Sequence, residues 1–393
     1  MVVYIRTFHP INLIYSGLCS SWIRNMNHNL ENIAQRVATS FGCKFAVLTG
    51  RGASAIAVAL KAVLRPGDKV AVPSICCLSP VNVVSSIGMT PVICDCDTID
   101  LNISIDSIEA ALQAGCRAVI AVHLFGKPCR IGEIKNLCGK YGAILLDDAC
   151  QAAGTVISGK PAGSFGDAGI ISFGAGKIIP DVIGGGAVVT DDPGIYTDAA
   201  YIAESLPEKS SEMDDLAKLH RDIATAIQNA SRTMPSLAPS YSLIRGQFLR
   251  IFAHKLSLEA AENISRGISA LHGEIKARRE RAAKYRELLE HSLITHIPDD
   301  PGQAVFRHTF FAGPGGDGGR TARRVVHKLR QGGIQASQHY FPTHLLMPEY
   351  CMRRDYFCTD TALRAVNLWV ENCADAAYIM RSVKFIEEAL EEQ

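Results

Sequence analysis

A chain of 393 residues is long for a single hydrophobic core, so two lobes are the first expectation. Hydrophobic residues make up 48% and charged residues 20%, the balance of a folded globular chain and not of a disordered one. With 40 Lys and Arg against 39 Asp and Glu, no net field draws the protein to nucleic acid or to an anionic membrane.

In chain order, the first 25 residues are mildly apolar, but Arg6, His9 and Asn12 interrupt the run. No basic segment opens it, and Leu18 is a poor cleavage-site residue before Cys19. Nowhere does the chain hold the run of about 18 apolar residues that a membrane span needs. Residues 1–30 are therefore expected to form an N-terminal arm, and the protein to be cytoplasmic with no membrane partner. Short, continuous apolar runs follow at 44–50, 69–75, 90–97, 118–124, 143–150, 168–174 and 186–192. Continuous runs suit strands buried on both faces. Helical patterns lie between several of them. Residues 53–64 are Ala-rich and stop at Arg65-Pro66-Gly67; 106–114 open on Asp106 as a cap candidate and close on Gly115; 131–141 repeat the theme. This βα alternation predicts an α/β domain over residues 31–250, with a mostly parallel seven-stranded sheet between helices. The last two runs have only loop between them and could pair antiparallel.

From about residue 199 the pattern turns helical, with polar residues near 205–216 and a Pro-containing break at 234–239. A charged helix is expected over 273–292, then strand 303–313, helix 320–331, strand 333–341 and helix 374–392. Together they suggest a smaller α+β C-terminal domain over 251–393. The stretch "GPGGDGGR" (313–320) lacks the GK[ST] ending of a phosphate loop and reads as a flexible connector. The 13 cysteines are scattered without a CxxC pair, which fits reduced buried thiols and neither a disulfide framework nor a metal centre.

Ligands of open parallel sheets bind at the carboxyl ends of the strands, so the polar residues there are the candidates. After the first run comes "TGRGASA", where Gly52, Ala53 and Ser54 would offer backbone N–H groups and a hydroxyl at a helix start, suited to phosphate. Asp147 and Asp148 end the fifth run, and strand alternation sends them to opposite faces, one to the site and the other to a cap or a pair. Ser172 and Lys177 end the sixth. His123 ends the fourth, where a histidine is as readily a satisfied core residue. A phosphate cradle, a buried carboxylate and a lone lysine among glycines point to pyridoxal 5′-phosphate (PLP). That cofactor needs an amine to bind its aldehyde, a carboxylate at its ring nitrogen and donors for its phosphate. A metal reading lacks His or Cys at ligand spacing, and a Ser/His/Asp hydrolase lacks a GxSxG elbow.

From about residue 30 onward the chain resembles the DegT/StrS nucleotide-sugar aminotransferases of PLP fold-type I. The matching segments run in order: "PGDKVAVPS" (66–74), "GMTPVICDCD" (88–97), "AVHLFGKPCRIGEI" (121–134), "LLDDACQAAG" (145–154), "GKPAGSFGDAGIISFGAGK" (159–177) and "GIQASQHYFPTH" (333–344). The resemblance implies that Lys177 carries the cofactor, Asp148 pairs with its ring nitrogen, and Gln151 lies near its ring oxygen. Ser172 with Gly52, Ala53 and Ser54 would take its phosphate. Cys77 stands where the family often stacks an aromatic ring, and His123 and His344 are carried as candidate substrate-binding residues. It further implies a homodimer, an amino-acid donor (glutamate or glutamine) and a keto-sugar acceptor. "RGAS" (51–54), Ile178 and Gly184-Gly185-Gly186 depart from the family pattern. They keep open a cyclitol or other cyclic ketone as acceptor, and a PLP-binding regulatory protein without turnover. Relatives that dehydrate sugars replace the lysine with histidine, so Lys177 points to amine transfer.

Overall fold

A computed structural model describes residues 29–174, 176–179 and 184–392, so the arm expected over residues 1–30 lies almost wholly outside the described residues. Helix α1 (29–40) leads into β1 (Phe45–Thr49), α2 (Gly52–Val63), β2 (Lys69–Pro73), α3 (Ser79–Ser86) and β3 (Thr90–Cys94). Then come α4 (Ile105–Gln113), β4 (Cys116–Val122), α5 (Ile131–Tyr141) and β5 (Ile144–Asp148). A two-stranded hairpin, β6 (Val156–Ile157) and β7 (Lys160–Pro161), precedes β8 (Ala168–Ser172) and β9 (Gly186–Thr190).

The large sheet has the order β1-β9-β8-β5-β4-β2-β3. Strands β3, β2, β4, β5 and β8 pair in parallel, while β9 runs antiparallel to both β8 and β1. The runs at 168–174 and 186–192 do pair antiparallel, as their loop connection suggested. Every residue of β8 and of β9 is buried, as strands covered on both faces must be. Helix α2 is buried from Gly52 through Leu60, enclosed by β8 and β9 on one side and by α3, α6 (Pro193–Glu204) and α9 (Phe248–Phe252) on others. Its alanines permit that close enclosure.

Between α6 and α9 lie α7 (Ser211–Ser231) and the short α8 (Ser242–Arg245). The charged helix is longer than the sequence suggested: α10 spans Leu258–Leu288, and the Ser257 hydroxyl caps its start through the Ala260 N–H at 3.2 Å. A second sheet, ordered β10-β11-β13-β12, is antiparallel throughout: β10 (Ile294–His296), β11 (His308–Ala312), β12 (Ala336–Ser337) and β13 (Ala365–Leu368). Helices α11 (Arg320–Gln331) and α14 (Ala376–Glu391) pack together beside it. The short α12 (Thr343–Leu346) and α13 (Cys358–Arg364) return to the first core, where Phe341, Leu346, Met347 and Cys358 join residues of α2 and α3.

Four local expectations shift. Helix α3 went unread, because Pro80 in its first turn and a valine run disguise it. Ser104, not Asp106, takes the cap position of α4, and Asp106 sits in the first turn, where its charge suits the helix dipole. The strand expected over 333–341 shrinks to β12: Asn367 Nδ2 donates to the His339 carbonyl, and the chain then turns back to the first core. The stretch 313–320 is an ordered cap: Asp317 accepts the N–H groups of Gly319 and Thr321 at 2.6 and 3.0 Å and so occupies the start of α11.

Among the described residues no helix is long and apolar enough to cross a membrane, and no group of His, Cys, Asp or Glu could hold a metal ion. Their cysteines are free thiols, and most are buried.

Candidate active site

The lone antiparallel strand β9 builds the rim of the site. Gly186 at its start lies opposite both Thr49 of β1 and Ser172 of β8, which brings those two strand ends to one level. A Cβ on Gly186 would stand 2.4 Å from the Arg51 carbonyl carbon and 2.7 Å from the Gly52 nitrogen, so only glycine lets α2 begin there. Asp148 ends β5, one strand along, and Lys177 follows on a turn closed by its own N–H to the Gly174 carbonyl at 3.0 Å. These ends enclose a cavity of about 610 Å³ whose wall includes Gly52, Ala53, Cys77, Asp148, Ser172 and Lys177. Six candidates far apart in sequence thus share one space.

Asp148 is 2% exposed and accepts the Cys150 N–H at 2.9 Å. Burial pushes its carboxyl above the ordinary carboxylate value, against the opposing pull of the Cys150 bond and the Lys177 charge. A carboxylate so desolvated gains strongly from a further cation in the cavity. The Lys177 amine lies over the Phe306 ring, 5.2 Å from its centroid. Next to it, Arg307 donates to the Gly176 carbonyl at 3.4 Å, stacks on Phe306 and Trp369, and pairs with Glu371. Side chains beside the second sheet thereby hold the turn that carries the lysine.

Helix α2 starts without a side-chain cap. Arg51 occupies the cap position in extended backbone and has no oxygen to offer. The first bond across that turn runs from the Ala55 N–H to the Arg51 carbonyl at 3.0 Å, which leaves the N–H groups of Gly52, Ala53 and Ser54 ahead of it. A Cβ on Gly52 would meet Ser172 Cβ at 3.0 Å and Ser172 Oγ at 3.2 Å, so the helix start and the Ser172 hydroxyl are neighbours. The Ser54 hydroxyl points elsewhere: it is fully buried against the 252–254 backbone, with contacts to the Phe252 and His254 carbonyls at 3.2 and 3.3 Å. Only the Ser54 N–H faces the helix start.

The remaining candidates are placed apart from the cavity wall. Gln151 is buried, and its Oε1 accepts the Phe125 N–H at 3.0 Å, fixing the turn after β4. His123 is fully buried between the Asp147 carboxylate, 2.8 Å from its Nε2, and the Cys129 N–H, 3.0 Å from its Nδ1. The N–H bond to Nδ1 fixes the neutral tautomer with the proton on Nε2. His344 is buried at a separate cleft, between Ser74 at 2.5 Å and Thr359 at 3.0 Å, with its ring stacked on Tyr356. Cys77 does line the cavity; burial pushes its thiol up, while the Lys177 charge pulls the other way.

Sequence reading missed Arg51, Lys209, Asp214, Arg221 and Phe252, which complete the same cavity. The arginine in "RGAS" and the polar run at 205–216 were the available signals. Nothing local said that α7 and its leading segment fold over the start of α2.

The donor set fits PLP on structural grounds: a primary amine, a buried carboxylate in need of a cation, and an uncapped helix start beside a hydroxyl, all on one cavity.

The sequence model of the DegT/DnrJ/EryC1/StrS aminotransferase family matches residues 11–366, and the chain belongs to that family. The match begins at residue 11, ahead of the segments that carry the resemblance. Among curated relatives, the UDP-N-acetyl-3-dehydro-alpha-D-glucosamine 3-aminotransferase of Acidithiobacillus ferrooxidans is 38% identical over 157 residues, 40% of this chain and 41% of the relative. The GDP-perosamine synthase of Caulobacter vibrioides is 32% identical over 174 residues, 44% of this chain and 47% of the relative. The chain thus spans about half or less of the length of the curated relatives it matches. Among solved structures, the aminotransferase TlmJ from Streptoalloteichus hindustanus superposes with a TM-score of 0.74 at 19% identity, over 96% of this chain and 97% of that one. At that identity the likeness speaks for the fold alone.

Proposed function

We propose that the protein is a PLP-dependent aminotransferase that moves an amino group from an amino acid, glutamate or glutamine, to a nucleotide-linked keto sugar. The observation that carries this reading is the sharing of one cavity by Lys177, Asp148 and the uncapped start of α2. Two relatives, one named for a nucleotide-linked keto-sugar substrate and one for an amino-sugar nucleotide product, support the acceptor class. By the resemblance, the protein would be a homodimer with its sites near the subunit contact.

Bound in this cavity, PLP supplies an electron sink for the pair left when the donor Cα–H bond breaks. Lys177 Nζ would hold the cofactor at rest. Its amine would also be the base placed to take the donor Cα proton and the acid to return it. Asp148 would hold a proton on the ring nitrogen, and its buried carboxylate would gain from that cation. Gly52, Ala53 and Ser54 offer N–H groups to the phosphate, with the Ser172 hydroxyl beside them.

The test is a half-reaction. L-glutamate alone should convert the absorption band of the lysine-bound cofactor to that of its aminated form and release 2-oxoglutarate. A keto-sugar nucleotide should then restore the first band. If several amino donors all leave the spectrum unchanged, aminotransfer is wrong. If inososes restore the band and nucleotide sugars do not, the acceptor is a cyclitol ketone.

A further inference from the structure

The cavity that holds Lys177 and Asp148 has a second charged end, and its charges do not balance. Asp148 and Lys177 offset one another at the catalytic end. At the other, Arg51, Lys209 and Arg221 face a single carboxylate, Asp214, which leaves an excess of two positive charges. Asp214 is shared: its Oδ2 is 2.8 Å from Lys209 Nζ and its Oδ1 is 3.5 Å from an Arg51 nitrogen. The Lys209 bond holds the Asp214 carboxyl below its ordinary value, so its one negative charge is shared between these two cations. His254 adds no charge. Its ring bonds the Lys255 carbonyl through Nδ1 and lies 3.3 Å from Arg51 Nε through Nε2, which is the neutral tautomer, and burial lowers its pKa.

Arg51 is fixed in place. His254 takes its Nε–H, Asp214 takes one terminal nitrogen, and the guanidinium carbon lies 5.5 Å from the centroid of the Phe252 ring. The same residue occupies the cap position of α2, where an oxygen-bearing side chain would ordinarily satisfy the first N–H groups. An arginine cannot. The helix start therefore stays open toward an outside oxygen, and Arg51, Lys209 and Arg221 line the cavity it faces. Burial and the Arg221 charge both disfavour the Arg51 cation, against a weaker pull from Asp214. An anionic occupant would relieve that cost. A phosphate monoester carries about two negative charges at neutral pH, which matches the excess.

We propose that Arg51, Lys209 and Arg221 form a cationic wall that binds the phosphate of the cofactor from within one chain, adding side-chain charge to the N–H groups of Gly52, Ala53 and Ser54. This rests on the PLP reading above. It assigns to α7 and the segment before it a role in cofactor retention. A diphosphate on the acceptor has the same chemistry, and the experiment separates the two sources.

The apoprotein is titrated with PLP, with pyridoxal, which lacks the phosphate, and with UDP and GDP as diphosphate probes, in wild type and in R51Q, K209Q and R221Q. Binding is read from cofactor absorbance and from nucleotide calorimetry, not from turnover. The proposal expects each variant to bind PLP at least ten-fold more weakly, with pyridoxal and nucleotide affinities unchanged. Raising the salt concentration should weaken PLP binding more in wild type than in the variants. R51K should recover part of the loss. Arg221 lies at the exposed edge of the cavity, so R221Q carries the test if R51Q folds poorly. PLP affinity unchanged in all three variants overturns the proposal and leaves the PLP reading standing. Equal losses for PLP and pyridoxal also overturn it, since shape and not charge was then removed. Weaker UDP or GDP binding with normal PLP affinity reassigns the wall to the acceptor and overturns it as stated. A wild-type protein that binds no PLP at all refutes the reading beneath it.

Discussion

Asp147 and Asp148 are adjacent on β5 and serve opposite faces of it. Asp147 is fully buried and accepts from His123 at 2.8 Å and from the Gly163 and Phe165 N–H groups at 2.8 and 3.0 Å. Asp148 opens on the cavity with Lys177. Substituting each with asparagine should therefore separate stability from chemistry. Asp147→Asn should lower stability by about 2–3 kcal/mol, because a buried acceptor with three donors loses its charge. Asp148→Asn should fold normally and lose most turnover while still binding cofactor. Urea denaturation and single-turnover spectra read the two effects, and an inactive but stable Asp147→Asn would reverse the assignment.

Lys177 should be the residue labelled when borohydride reduces the protein with PLP bound, as peptide mass mapping would reveal. Lys177→Ala should still take up PLP by its phosphate but form no bond that borohydride can trap. A label on another lysine sinks the placement.

Arg307 ties the Lys177 turn to the second lobe through the Gly176 carbonyl. Arg307→Met should leave cofactor affinity within a few-fold of wild type and slow the proton-transfer step by roughly ten-fold, since a misplaced base costs rate before it costs binding. Rapid-mixing spectra with glutamate measure it; an unchanged rate means that the turn holds itself.

Gly186→Ala should be severe for a single methyl group. The new Cβ meets backbone atoms at 2.4 and 2.7 Å, which cannot swing aside as side chains do. A loss of roughly 1–3 kcal/mol, with a displaced start of α2 and weaker PLP binding, is the expected result. A variant with wild-type melting and affinity would show that the rim is looser than drawn.

Acid should destabilise the fold below neutrality. Burial holds the His308 pKa down to about 3, helped by the charges of His296 and Arg286, and burial holds His344 down to about 4, both from an ordinary 6.5. The unfolded chain binds a proton at each position as pH falls through 6.5, and the native state does not until the folded value is reached. Stability is thus whole above about pH 6.5 and declines toward pH 4, by on the order of a few kcal/mol in all. Urea midpoints from pH 7 to 4.5 test this. His308→Phe, which keeps a ring against Tyr285, should flatten the slope.

Much of this protein is legible in its chain. The seven buried strands declare themselves as continuous apolar runs because both faces of the sheet are covered, and α2, α4, α5, α11 and α14 show their helical patterns. Lys177, Asp148, Ser172 and the Gly52 turn stand out because a lysine among glycines, or a carboxylate ending an apolar strand, conflicts with simple burial. What only the tertiary structure decided is who shares their cavity and who does not. His123 and His344 look functional in sequence, yet each spends its ring nitrogens on neighbours that arrive from elsewhere in the chain. Ser54 likewise gives its hydroxyl to the 252–254 backbone, about 200 residues away. Arg51, Lys209 and Arg221 look like ordinary surface charge until folding sets α7 and the start of α2 on one cavity. Local pattern reports what a segment buries. The charge balance of a cavity is set by segments that meet only when the chain has folded.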